Sequence, residues 1–240
     1  MNDLHHEEQV FGKGIGRAVR RSIALFALVC AAVVAAPVAA GAHGDPQDRH
    51  TPGDTAKAHS IALERGDLPG GAWEAERDGA DVALLRCAGF APDLSDLVET
   101  GEAESPNFTR PPATFVSSTA SLFATEAQAN AAFDRVVKPG LMRCLARILE
   151  DQSEAQVTIR VVSAGPVAHP SGGDELRACR LRARASAKDD SVPIVVDLVL
   201  FRAGRATVAF VAGGVAEGLP TGDRRSLVAT LVRRANAAGR

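Results

Sequence analysis

The chain has 240 residues, with 27 Lys and Arg against 29 Asp and Glu, and its formal net charge at pH 7 is −2. This length is sufficient for a domain with a full hydrophobic core. Because there is no basic excess, the composition does not indicate binding to nucleic acid or to anionic lipid.

The N-terminal segment has the layout of an export signal. Four basic residues, Lys13, Arg17, Arg20 and Arg21, precede residues 22–42, which carry no charge and end in Ala40-Gly41-Ala42. This order predicts a signal peptide over residues 1–42, cleaved after Ala42. The alternative is an uncleaved anchor, because about 20 apolar residues cross a bilayer as a helix. Both interpretations place the rest of the chain outside the cytoplasm, with membrane contact through this segment alone.

Residues 43–54 contain two prolines and two glycines among polar side chains, which predicts a flexible tether before a single domain over residues 55–240. Three cysteines follow the export segment: Cys87, Cys144 and Cys179. In an oxidising compartment this count allows one disulfide and one leftover thiol. Their spacing does not indicate a zinc site.

The first half of the domain is predicted to begin with a short helix over residues 55–65, capped by Asp54. Trp73 follows a Leu-Pro turn and is expected to anchor the core rather than to stack on a ligand. Residues 92–110 are predicted to form a long loop. Residues 111–123 favour a strand because they contain β-branched and aromatic side chains.

Two helices are predicted next. Thr125 and Gln128 have the spacing of a capping box, and a Lys-Pro-Gly sequence at residues 138–140 ends the helix that they begin. The second helix carries an apolar stripe formed by Leu141, Cys144, Leu145 and Ile148. Cys144 is therefore expected to face the core.

The second half of the domain is predicted to be a run of strands closed by a helix. Alternating apolar residues predict strands from about residue 157 and over residues 175–186, where Cys179 faces inward and Arg180, Arg182 and Arg184 face outward. Residues 192–202 are apolar on both faces apart from Asp197, which predicts a central strand. A turn at Gly204-Arg205 joins it to a strand over residues 206–212. Together these elements predict an α+β domain, an antiparallel sheet with helices packed against it.

The closing helix is predicted to begin at Thr221 as its cap. Its apolar face comprises Leu227, Val228, Leu231 and Val232, and its polar face carries Arg224, Arg225, Arg233 and Arg234.

A hydrolase is the first enzyme to consider, because His169, Ser171 and Asp174 stand close together. The chain lacks a G-x-S-x-G elbow, and these residues lie among Pro and Gly, which favours an exposed loop. We expect no catalytic residues and no cofactor.

Two other groups of polar residues are candidate binding sites. His43, Asp45, Asp48 and His50 offer nitrogen and oxygen ligands for copper or nickel, but a solvated tether is the simpler interpretation, so no metal site is expected. The arginine stripe of residues 180–184 is expected to be a solvated face, partly neutralised by Asp197 or by acidic residues on neighbouring strands.

The order of features resembles a family of actinobacterial exported domains. Leu68-Pro69 leading into Trp73, then Cys87, the strand ending at Phe123, the capped helix and Cys144 are similar to the extracellular sensor-like domains of PknH-type serine/threonine kinases and related secreted proteins and lipoproteins. The resemblance covers about residues 55–235. It implies a twisted antiparallel sheet packed by helices and a disulfide between Cys87 and Cys144. We expect no kinase domain before the apolar run, where only about 20 residues stand. Cys179 lacks the partner that a second family disulfide needs, so we expect it to be a buried thiol.

The function that follows from this resemblance is an exported, non-enzymatic ligand-binding or sensor-like domain of the cell envelope, with a small molecule or an envelope protein as its partner. Two alternatives stay open: an envelope hydrolase, and a structural or assembly accessory that binds a protein across its sheet.

Overall fold

The computed structural model describes residues 44–76, 86–153, 156–170, 172–188 and 190–240. Within them the strands are β1 (Gln47–Asp48), β2 (Glu74–Glu76), β3 (Val98–Glu104), β4 (Asn107–Arg110), β5 (Thr114–Phe123), β6 (Thr158–Pro166), β7 (Glu175–Ala187), β8 (Asp190–Ala203) and β9 (Ala206–Val215). The helices are α1 (Pro52–Ile61), α2 (Glu126–Val136), α3 (Gly140–Asp151) and α4 (Thr221–Ala238). A 3₁₀ turn lies at Arg65–Asp67.

The described strands form one sheet in the order β1-β3-β5-β9-β8-β7-β6, and β2 is attached through β4, which pairs with β5. Only the β1–β3 pairing is parallel among these strands. The predicted α+β class with an antiparallel sheet is confirmed.

Helices cover both faces of the sheet. On the first face α1 and α4 contribute Ile61, Leu227 and Leu231 to a core with Leu122, Phe201 and Phe210. The second face, called here the α2–α3 face, is packed by Leu141 and Cys144 against Leu198 and Val211, and by Leu149 against Ile159 and Leu181. At the β3 end of this face, Ala129 and Ala132 of α2 pack near Phe123.

Several predicted elements are confirmed. The strand ending at Phe123, the helix capped by Thr125, the stripe helix, the two strands predicted over residues 175–202 and the hairpin at Gly204-Arg205 are all present. The residues predicted as a central strand lie in β8, which pairs on both sides.

The N-terminal segment of the domain differs from the prediction. Part of the predicted tether is ordered against the sheet, because Gln47 and Asp48 pair with Val98 and Glu99 of β3. The first helix begins at Pro52, and the Thr51 side chain, not that of Asp54, caps it by accepting a hydrogen bond from the amide of Asp54. A proline in the first helical turn has no amide to satisfy, which explains the earlier start.

The long loop predicted over residues 92–110 was wrong, because β3 and β4 lie within it. The sequence of β3 is VETGEAE, in which Glu, Gly and Ala have low strand propensity. Pairing with β1 on one side and β5 on the other outweighs that propensity. The predicted cap at Thr221 is also absent, since no side chain caps α4.

Among the described residues no helix is long and apolar enough to cross a bilayer. The predicted export segment over residues 1–42 lies outside the described residues.

Candidate functional site

A cleft of about 200 Å³ opens on the α2–α3 face, between α2, the sheet and the segment that carries β1. Its apolar wall includes Phe133 and Val136 of α2 and Leu200 of β8. Its polar side is formed by Asp48, His50, Glu99, Glu102, Thr119 and Ser121. The cleft therefore combines an apolar surface with convergent carboxylate, imidazole and hydroxyl groups, which is the usual composition of a small-ligand site.

A β-bulge at Thr100 places the two glutamates of the cleft side by side. In the β3–β5 ladder Glu99 pairs with Phe123, but Gly101 pairs with Leu122 and Glu102 with Ser121. Phe123 and Ser121 are two residues apart on β5 and share a face, so their partners do also. Without the extra residue, positions three apart on a strand point to opposite faces.

The segment after β1 adds the imidazole. The amides of Arg49 and Thr51 donate hydrogen bonds of 2.9 and 2.7 Å to the carbonyls of Glu99 and Thr100, which hold this segment along β3. The His50 ring then lies between two carboxylates, with Nε2 3.0 Å from Glu99 Oε1 and Nδ1 3.2 Å from Asp48 Oδ1. The ligand atoms of His50, Glu99 and Glu102 all lie within 4.8 Å of one another.

The surroundings raise the pKa of both Glu99 and His50. Burial raises the pKa of Glu99, whose residue is 9% exposed, although hydrogen bonds with His50 and Ser121 favour its charged form. Burial favours the neutral ring of His50, but its hydrogen bond with Glu99 and the negative charges around it outweigh this effect and raise its pKa. The pair therefore retains a proton to higher pH than either side chain would in water.

Three of the four residues considered as tether ligands lie at this cleft: Asp45, Asp48 and His50. His43 lies outside the described residues, and Asp45 is paired with Arg86 at 2.5 Å. Sequence reasoning missed Glu99 and Glu102, because both fall within the predicted loop. No signal in the sequence marks the bulge that brings them together.

The segment considered for hydrolysis shows no described contact between His169 and Asp174. His169 Nδ1 lies 3.0 Å from the carbonyl oxygen of Pro170. Asp174 accepts hydrogen bonds from Arg202 and from the amide of Gly204, at 2.9 and 2.8 Å, and so fixes the β8–β9 turn. Ser171 lies outside the described residues.

The arginine stripe is neutralised at one end, as expected. Asp197 accepts hydrogen bonds of 2.7 and 2.8 Å from Arg180, and one of 2.6 Å from Arg224. Arg224, predicted on the polar face of the last helix, is only 5% exposed. That placement was wrong, because the first turn of α4 packs over β8, where Asp197 supplies a buried counter-charge.

A disulfide joins Cys87 and Cys144, as the family resemblance implied, with 5.6 Å between the two Cα atoms. Cys179 is a free thiol, as expected, but it is half-buried rather than fully buried. Burial of part of its side chain raises its pKa. A raised pKa disfavours the nucleophilic thiolate.

Trp73 is confirmed as a core residue, with 5% of its surface exposed. Its indole nitrogen donates a hydrogen bond of 3.1 Å to the carbonyl of Pro69, and the Arg110 guanidinium carbon lies 4.5 Å from the ring centre. The Trp73 ring is therefore in contact with other residues of the protein and is not available to stack on a ligand.

Comparisons with known proteins give a weak likeness of fold and assign the chain to no family. No family model matches the chain, and no curated protein matches it. A solved structure, the crystal structure of the extracellular domain of PknH from Mycobacterium tuberculosis, aligns with 78% of this chain and 99% of its own, with a TM-score of 0.40 and 10% sequence identity.

Proposed function

We propose that the protein is an extracytoplasmic, sensor-like binding domain without catalytic activity, and that the cleft on the α2–α3 face is its ligand-binding site. The observation that carries this proposal is the convergence of Glu99, Glu102 and His50 opposite an apolar wall. Such a surface selects a ligand by a few directed polar contacts and retains it by apolar contact.

The compartment is supported by two independent features. The predicted signal segment routes the chain out of the cytoplasm. The Cys87–Cys144 disulfide is stable in the oxidising compartment where such a chain arrives.

Native mass spectrometry of the protein recovered from the extracytoplasmic fraction tests the proposal. We expect a bound small ligand, which Thr207→Phe removes by filling the cleft that Thr207 lines. Thr158→Phe, at an exposed position of β6, is the matched control and should retain the ligand.

Retention of the ligand by a folded Thr207→Phe variant would place the site elsewhere. Failure of the wild-type protein to carry a ligand, together with no thermal stabilisation by small-molecule extracts of the envelope, would contradict the binding function itself.

A further inference from the structure

Three side chains of the cleft form a set that is suited to a metal ion. We propose that His50, Glu99 and Glu102 bind one divalent first-row transition-metal ion, such as zinc or manganese. This inference rests on the proposed function, because it assigns a cation to the same cleft. It also reverses the expectation from the sequence that this segment is a solvated tether.

The spacing of the donor atoms fits a shared ion. Two ligands bound at about 2.0–2.2 Å to one metal, at about 90–110° from each other, are separated by about 2.8–3.6 Å. The distance of 3.0 Å between His50 Nε2 and Glu99 Oε1 lies within that interval. Glu102 completes a set in which all ligand atoms lie within 4.8 Å, so a small side-chain rotation closes the third bond.

The donor chemistry selects the class of ion. One imidazole nitrogen with two carboxylates suits zinc, manganese or iron better than calcium, which prefers six or more oxygen ligands. Three protein ligands leave at least one coordination position free, and the cleft beside them provides the space for it. A site of this kind binds the ion and presents it to a further ligand.

Neighbouring groups orient two of the three ligands, His50 and Glu99, as they do in metal sites. Asp48 Oδ1 faces the second ring nitrogen of His50 at 3.2 Å, which fixes the ring with Nε2 directed towards Glu99. Ser121 forms a hydrogen bond with the Glu99 carboxylate. Asp48 and Ser121 therefore hold the His50–Glu99 pair in place, an arrangement that an acidic surface patch lacks.

The burial of Glu99 gives an independent reason for a cation. The Glu99 side chain is only 12% exposed, so its carboxylate loses most of its hydration, and the charges of Asp48 and Glu102 lie near the same imidazole. A single proton on His50 offsets one negative charge, whereas a divalent ion offsets two. The bulge at Thr100 brings the carboxylates of Glu99 and Glu102 together, and a bound ion would offset the repulsion between them.

Calorimetric titration of the untagged, chelator-stripped protein from the extracytoplasmic fraction with zinc chloride tests the inference. We expect one zinc per chain. His50→Gln, Glu99→Gln and Glu102→Gln should each weaken zinc binding by at least about 100-fold. Asp48→Asn should weaken it by about tenfold, because it removes only the contact that orients the His50 ring. His59→Gln and Glu104→Gln change the same residue types elsewhere and should leave binding unchanged.

Three results would overturn the assignment: no zinc binding by the wild-type protein, equal binding of calcium, or loss of binding in His43→Ala, which would move chelation to the N-terminal segment. Melting curves show which variants fold. If Glu99→Gln unfolds, the zinc affinity of Asp48→Asn still tests the assignment. The Asp48 side chain is 73% exposed, so its change leaves the core intact.

The inference and the proposed function fail separately. Absence of zinc binding alongside a ligand that Thr207→Phe removes would reject the metal and retain the binding site. Zinc bound by the three side chains with no further ligand in the cleft would retain the metal and reject the small-molecule site.

Discussion

Asp54 connects three parts of the chain that are far apart in sequence. Its carboxylate accepts hydrogen bonds of 3.1 and 2.8 Å from Arg205 at the β8–β9 turn, and one of 2.7 Å from Thr100 at the bulge of β3. The hydrogen bonds from Arg205, assisted by Thr100, lower the pKa of Asp54 to about 2. The sequence predicted only a helix cap here, because neither partner is local.

Acid should remove the contribution of Asp54 to stability. Its folded-state pKa of about 2 lies below the ordinary value of 3.8, so the stabilisation is complete above about pH 4 and is lost as the pH falls through 2. We expect Asp54→Asn to lower the free energy of unfolding by about 1–2 kcal/mol at pH 7, and by much less near pH 2. Urea unfolding of both proteins at the two pH values measures this. An equal loss at both would contradict the ion-pair explanation.

Asp197 is the second residue whose partners only the fold supplies. We expect Asp197→Asn to cost about 3–5 kcal/mol, because it leaves the buried Arg224 and its neighbour Arg180 without a counter-charge. Arg224→Met should cost less, since Asp197 keeps Arg180. Arg225→Met, on the exposed side of the same helix, is the control and should change stability by less than about 0.5 kcal/mol. Denaturant unfolding measures the loss of stability of each variant. A larger loss for Arg224→Met than for Asp197→Asn would contradict the role of Asp197 as the shared counter-charge.

At the scale of elements, the close approach of α1 to β3 explains the glycine within the strand. A Cβ atom at Gly101 would lie 2.4 Å from the backbone carbon of Asp54, and a backbone cannot move aside as a side chain can. The helix therefore packs directly on the strand that carries the glutamates of the cleft.

Gly101→Ala should destabilise the protein by about 1–3 kcal/mol, as overpacking does. The matched change is Gly53→Ala within α1, where a Cβ meets nothing within 4 Å and alanine favours the helix, so stability should be unchanged or higher by up to about 1 kcal/mol. Chemical unfolding of the two variants is the measurement. Equal stability of both would show that α1 lies farther from β3.

The disulfide ties α3 to the segment around Cys87, across a sequence separation of 57 residues. Closing a loop of that length contributes about 4 kcal/mol by restricting the unfolded chain. We expect Cys87→Ala with Cys144→Ala to lower the melting temperature by many degrees, whereas Cys179→Ala should cost about 1 kcal/mol or less, because that thiol is only half-buried. Thermal unfolding checks both, and peptide mapping without reductant checks the pairing. A bridge to Cys179 would contradict it.

The packing of α2 against β3 changes the capping box that the sequence predicts at Thr125 and Gln128. Thr125 caps α2 by accepting a hydrogen bond from the amide of Gln128, as expected. The Gln128 side chain does not return to Thr125. It accepts a hydrogen bond of 3.0 Å from the amide of Val98, and so fixes the start of β3 beside α2. Gln128, predicted from its spacing to complete the helix cap, instead connects α2 to β3, two elements that border the cleft.

At the scale of the whole molecule, the export prediction concerns residues that the structure does not describe. The basic segment followed by residues 22–42 predicts that the mature protein begins near His43. N-terminal sequencing of protein from the extracytoplasmic fraction is the measurement. An intact Met1 would instead indicate an uncleaved anchor, and recovery of the folded protein from the cytoplasm alone would contradict export.

The sequence by itself determined the features that depend on neighbours along the chain. The α+β class, the stripe helix around Cys144, the capped start of α2 and the strands β5, β7, β8 and β9 follow from periodicity, caps and turn residues, whose interactions span a few positions. The first strands escaped prediction for the opposite reason. β3 has weak local propensity and exists because β1 and β5 pair with it.

The tertiary structure alone decided the candidate site. The sequence places His50 in a polar segment and Glu99 and Glu102 in an apparent loop, 49 residues and more away from it. A one-residue bulge sets the two glutamates on one face, and hydrogen bonds between the segment after β1 and β3 bring the imidazole to them. Register and long-range pairing are properties of the assembled sheet, because each depends on a partner strand that no local pattern specifies.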